Sequence, residues 1–172
     1  MRKLFTALLV LAAIVLTGCG LAEKATEKAM EKAVQKATGV TVDEKNGTVT
    51  VQGQNGEKMT VTTEPEGKLP EGFPLPIFPQ AKVKSGSKID ANGKAYYSLE
   101  LTYKGESKPA VEFYEKALKD RGYGDVFKAE TSTDEAEEWT LSGQNTKESA
   151  TFFFQSMKKT KEAMIAISWN EL

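Results

Sequence analysis

Ala95-Tyr96-Tyr97-Ser98-Leu99-Glu100-Leu101-Thr102-Tyr103 is the stretch on which the fold turns. Read with a period of two, Ala95, Tyr97, Leu99, Leu101 and Tyr103 share one side, and Tyr96, Ser98, Glu100 and Thr102 share the other. That is the pattern of a strand with one apolar face. A partner strand over about 82–89 precedes it across the turn signal Ala91-Asn92-Gly93. Ser107 then serves as an expected N-cap, Pro109 is tolerated in the first turn and Gly122 supplies the stop, which predicts a helix to about Arg121. Its stripe of Ala110, Val111, Tyr114, Ala117 and Leu118, flanked by Phe113, gives it a face to lay on the sheet. Four more strand-like runs follow, over about 125–131, 136–142, 148–157 and 163–170, with Trp139 and Leu141, then Ala150, Phe152 and Phe154, then Ile165, Ile167 and Trp169 alternating on one side. With connections this short, the expectation for 81–172 is an α+β domain, an antiparallel sheet in the order β-β-α-β-β-β-β with one helix on one face.

Before this domain, residues 64–80 hold five of the six prolines, at 65, 70, 74, 76 and 79. Proline fixes φ and removes a donor, so the segment is extended. Its Phe73, Leu75, Ile77 and Phe78 are side chains that a free linker does not need, and they predict a strap laid along the body. Upstream, residues 40–63 alternate as Val40, Val42, Val49, Val51, Met59 and Val61 around Asn46-Gly47 and Asn55-Gly56, which predicts a small three-stranded meander. Its single apolar face must rest on something to be stable. Residues 22–37 repeat Ala-Glu-Lys-Ala, Thr-Glu-Lys-Ala, Met-Glu-Lys-Ala, Val-Gln-Lys-Ala, a composition that favours helix, with Gly39 at the stop. The predicted helix runs over about 21–38, and at about 1.5 Å per residue this N-terminal helical stalk reaches roughly 27 Å.

The chain starts with Met1-Arg2-Lys3, an apolar run over 4–16, and Leu16-Thr17-Gly18-Cys19. This is the charged, apolar, small-residue order of a secretory signal, too short to span a bilayer as a mature helix, which takes roughly 20 apolar residues. Leu16-Thr17-Gly18-Cys19 resembles the lipobox of bacterial lipoproteins. The resemblance implies cleavage of a 1–18 signal peptide by a peptidase that recognises Leu16, Thr17 and Gly18, and a diacylglyceryl thioether on Cys19 as the only bound group. It also implies anchorage on the extracytoplasmic face of a cell membrane, with residues 19–39 as lipidated cysteine and stalk. Two acyl chains anchor stably where one does not. Further along, Phe73-Pro74-Leu75-Pro76-Ile77-Phe78-Pro79-Gln80-Ala81, the strand pair, Ala110–Leu118 and Arg121-Gly122-Tyr123 resemble a module of many uncharacterised bacterial lipoproteins, over roughly 70–172. In that module the proline segment typically reads Pro-Ile-Tyr-Pro-Gly-Ala, so Phe78 and Gln80 are departures, and the shared motifs are structural.

The chain has one cysteine and no histidine. With Cys19 lipidated, cysteine, serine–histidine and histidine–metal chemistries lack their usual groups, so a non-enzymatic protein is expected. A hydrolase working through carboxylates or a lone serine is the remote alternative, with no Gly-x-Ser-x-Gly elbow to support it. Without Arg2 and Lys3, 21 basic residues face 24 acidic ones, a net charge of −3 with no concentrated basic surface for nucleic acid. The acidic run 133–138 lacks the ligand spacing of a calcium loop, and the turn carrying Lys158, Lys159 and Lys161 reads first as a solvated surface that could touch anionic headgroups. Period-two geometry sends Tyr96, Phe153, Met157 and Met164 to the sheet face away from the helix, where they are either covered by the meander or strap or free to contact an envelope protein or a small apolar ligand. A binder of that kind is the leading expectation; a structural spacer without a ligand is the second.

Overall fold

The computed structural model describes residues 41–45, 47–52 and 58–172. The signal segment, Leu16, Thr17, Gly18, Cys19 and the stalk lie outside them. The chain runs β1 (Thr41–Lys45), β2 (Thr48–Gln52), β3 (Lys58–Glu64), β4 (Lys82–Ala91), β5 (Lys94–Lys104), α1 (Ser107–Asp120), β6 (Val126–Ser132), β7 (Ala136–Gln144), β8 (Glu148–Met157) and β9 (Glu162–Glu171).

These strands form one nine-stranded antiparallel sheet in the order β1-β2-β3-β4-β5-β9-β8-β7-β6. This overturns the expected fold class, in which a small meander stood apart from a separate β-β-α-β-β-β-β sheet, while the expected stalk lies outside the described residues. The meander is not a domain of its own, because β3 pairs with β4 from Met59↔Ala91 to Glu64↔Gly86. Pairing in this way supplies partners for edge groups that an isolated three-stranded ribbon would leave to water. Gly39–Leu172 accordingly form a single compact unit.

One face of the sheet is covered by two different devices. α1 packs on β6, β7 and β8, burying Val111, Tyr114 and Leu118 against Phe152, Phe154 and Leu141. Glu106, not Ser107, occupies the N-cap position, and Ser107 is the first, fully buried, helical residue. The helix ends as Gly122 turns to φ 78°, with Tyr123 N–H donating to the Leu118 carbonyl at 3.1 Å, an arrangement that satisfies an orphan helix carbonyl.

The second device is the proline segment, which lies on the same face near β4 and β5. Leu75 and Phe78 are buried there, with Phe73 and Ile77 partly buried, and Phe73 meets Tyr97 edge-on at 5.7 Å and Phe78 meets Tyr103 at 5.3 Å. Proline leaves few donors here, so side chains of the body tether the backbone. Tyr97 Oη donates to the Glu71 carbonyl at 3.2 Å, Phe78 N–H to Tyr114 Oη at 3.3 Å, and Arg121 Nη1 to the Pro74 carbonyl at 3.1 Å. The approach is close enough that a Cβ on Gly86 would stand 2.8 Å from Pro70 Cδ. Arg121 also grips Glu148 with both arms, Nε and Nη2 each donating at 2.8 Å, which joins the helix end, the strap and β8 at one point.

Candidate functional site

The other face of the sheet has no helix or strap upon it among the described residues. Directly paired residues share a face, so the register identifies its occupants. Tyr96 pairs with Asn170, Glu100 with Ala166, Thr102 with Met164 and Lys104 with Glu162 across β5 and β9, and Phe153 pairs with Ala166 across β8 and β9. All four side chains expected on this open face are there, with Tyr96 at 38%, Phe153 at 37% and Met157 at 38% exposure, and Met164 half-buried. Neither the meander nor the strap lies over them. The meander extends the sheet sideways, and the strap lies on the opposite side because its apolar residues match the larger face of Tyr97, Leu99 and Tyr103.

The four do not form one cluster. Ser98, Ser168 and Thr151, paired in register on β5, β9 and β8, form a hydroxyl band between Tyr96 on one side and Phe153, Met157 and Met164 on the other. Tyr96 belongs with Ile89, which pairs with it on β4, and with Val61 and Val49 beyond, in register on β3 and β2. These valines and Ile89 were not expected to join the candidate surface, because the phase that brings them to this side lies in β4 and is not visible in the meander itself. β4 carries a register irregularity between Val83 and Ser85. That bulge shifts the alternation by one, so Val83 pairs with Leu101 on the covered face while Ile89 pairs with Tyr96 on the open one. Phe127, 60% exposed, stands at the end of the hydroxyl band on β6, where it pairs with Ser142.

Met157 and Met164 of the second group border a cleft of about 700 Å³, with Phe153 outside its lining. Met157, Met164 and Ala163 line it with Thr102 and Gln155, and Lys82, Lys84 and Lys104 stand around it with Glu100 and Glu162. Lys84 is engaged, its Nζ 2.7 Å from Glu100 Oε1, and Ser85 Oγ donates to the second Glu100 oxygen at 3.4 Å. Gln155 Nε2 donates to Glu138 Oε1 at 2.8 Å. The lysines went unnoticed in the sequence because each is an ordinary polar position of an alternating strand. Only the pairing Lys82↔Thr102 and the position of Lys104 opposite Glu162 bring them beside the methionines.

The charged runs are turns. Residues 133–135 close β6 onto β7, and Lys158 and Lys161 in the β8–β9 turn reach the Thr133 carbonyl and Glu106 respectively. No group of three metal-binding side chains occurs among the described residues, and none of their helices is long and apolar enough to cross a membrane. No protein-family model, curated protein or solved structure matches the chain.

Proposed function

We propose that this chain is a lipid-anchored lipoprotein of the bacterial envelope, processed before Cys19 and held on the extracytoplasmic face of the membrane. Its open sheet face is a non-enzymatic binding surface for a protein partner or a small apolar ligand. The observation that supports the binding role is the burial of strap and helix on one face only, which leaves Tyr96, Phe153 and Met157 more than a third exposed on the other. Phe153, Met157 and Met164 lie together on one side of the hydroxyl band, and a contiguous apolar group on a solvent face is the mark of a contact surface. Anchorage rests on the order of charge, apolar run and Leu16-Thr17-Gly18-Cys19.

Two experiments test the two halves. Changing Tyr96 and Phe153 together to serine is expected to abolish ligand or partner retention while leaving the melting temperature in place; a lowered melting temperature would reassign both to the core. Cys19→Ala is expected to give a chain that is neither lipid-modified nor cleaved at this point. Recovery of a lipid-modified mature form from that variant would sink the anchor.

A further inference from the structure

Among the cavities, charged clusters and apolar patches of the described residues, the cleft beside Met157 and Met164 combines three features in one place: a concave shape, an apolar floor and cations without partners. Lys82 and Lys104 have no carboxylate within ion-pair distance among the described residues, although Lys84 and Glu100 beside them are paired. Glu162 lies opposite Lys104 in register, so two lysines and one carboxylate remain unpaired around the cleft. Among the charged groups that line the cleft the surplus is positive; the further carboxylate on this face, Glu138, stands beyond Gln155 and accepts a hydrogen bond from its amide.

The floor runs away from the lysines in a definite direction. Met164 lies between Thr102 and Gln155, Met157 is at the end of β8, and Ala166 and Phe153 are paired one step further along β9 and β8. This makes a line of apolar side chains from Met164 through Ala166 to Phe153, with Gln155 of β8 beside Met164, leading off from the cationic edge. Methionine is flexible and polarisable and moulds to an unbranched chain better than a branched side chain does. Lysine is a compact charge on a long stem, suited to a single anionic group at variable position, and its stem extends the apolar wall.

We propose that this cleft binds a single-chain amphiphile with an anionic head. The carboxylate or phosphate head sits between Lys82 and Lys104, and the alkyl chain lies over Met164 toward Ala166 and Phe153. This inference rests on the reading of the open face as a binding surface and gives that surface a ligand class. Glu162 sets the head's limit: a group carrying more than one bulky anion would meet a carboxylate across the cleft.

The test uses the full chain with methyl-labelled methionine, titrated below the micelle concentration with three probes: dodecyl phosphate, the uncharged dodecyl maltoside, and inorganic phosphate. Dodecyl phosphate is expected to shift the Met157 and Met164 methyl resonances saturably, more than tenfold more tightly than either other probe. Lys82→Glu with Lys104→Glu is expected to weaken it at least tenfold, whereas Lys158→Glu with Lys159→Glu, outside the cleft, leaves it unchanged. Equal binding of dodecyl maltoside would overturn the anionic head while leaving the open face a binding surface. Equal binding of inorganic phosphate would overturn the alkyl part. Silence of both methionines toward every probe would overturn this inference, and the serine double variant at Tyr96 and Phe153 would then decide the broader reading separately.

Discussion

In β5, β9, β8 and β7 most of the apolar side chains point toward the helix and strap, whereas in β2 and β3 they point the other way. Tyr97, Leu99, Ile167, Phe152 and Leu141 are buried on the covered face. On that same face the meander presents Thr48, Thr50, Thr60 and Thr62, whose hydroxyls meet across the strands at 3.4 Å and 3.3 Å. Its Val49, Val51, Met59 and Val61 lie on the open face with Ile89 and Tyr96. The two regions share a continuous ladder of hydrogen bonds and yet are opposite in amphipathic sense, with the β4 bulge as the point of inversion. Backbone pairing is thus indifferent to which side is apolar. It is the covering elements that make one half a core and leave the other half a surface.

The sharpest way to break this comparison is to delete bulk on each side of the inversion. Phe152 is fully buried, 4.6 Å from the Tyr114 ring centroid and stacked on Phe154 at 6.0 Å. Phe152→Ala is expected to cost about 3–5 kcal/mol in urea denaturation. A loss under about 1 kcal/mol would mean that the helix-backed half is no more a core than the meander. Next comes the strap. Gly86→Ala would set a methyl group 2.8 Å from Pro70 Cδ and 3.1 Å from Leu99 Cδ1. A destabilisation of about 1–3 kcal/mol is expected from that overpacking, together with faster proteolysis within residues 64–80. An unchanged midpoint would show that the strap lifts away freely.

The covered half was legible in the sequence because its signals are local. The alternation of 95–103, the helix stripe and the run of prolines each state their own face or conformation. The meander's place in the larger sheet is not legible for the complementary reason: a three-stranded apolar pattern looks the same whether it stands alone or edges a larger sheet, and only the β3–β4 pairing distinguishes them. Of the candidate surface, Tyr96, Phe153, Met157 and Met164 could be placed by parity within strands already identified. Ile89 could not, because Val83 and Ile89 stand an even number of residues apart and parity alone puts them together. The bulge that separates them has no glycine or proline at the shifted residues to announce it. Lys82 and Lys104 were hidden by being unremarkable until the register brought them to the methionines.

A smaller effect is expected where helix, strap and sheet are joined. Arg121 raises no buried-charge problem, being partly exposed, but its two arms on Glu148 and third contact to Pro74 hold three elements. Glu148 is held below the usual carboxylate range by the Arg121 guanidinium. Arg121→Ala is expected to cost about 1–2 kcal/mol, between exposed and buried ion pairs. Smaller still is Glu115, where hydrogen bonds from Lys119 and then Lys128 pull the carboxyl down to about 2. Its folded pKa is depressed from 4.5, so its contribution is complete above that value and is lost as pH falls toward about 2. Because both lysines are largely exposed, the contribution is only about 0.5 kcal/mol. Glu115→Gln should flatten the decline of the unfolding free energy between pH 5 and pH 2 by about that amount. An identical decline in the variant would remove Glu115 from the account of how α1 is held to β6.

The least disruptive change bears most directly on the inversion. Val61→Thr keeps the β-branched shape and the strand preference and adds one hydroxyl on the open face, between Val49 and Ile89. If water reaches that face, the hydroxyl is solvated and the midpoint should move by less than about 0.5 kcal/mol. If something lies over it, the hydroxyl is buried without a partner and the cost rises to about 1–3 kcal/mol. The same substitution pattern on the covered half, Val111→Thr on α1, is expected to cost the larger amount, since Val111 is 1% exposed. Equal losses at both positions would mean that the valine face of the meander is as dry as the core. A loss at Val61 that grew with protein concentration would identify the cover as a second copy of the chain.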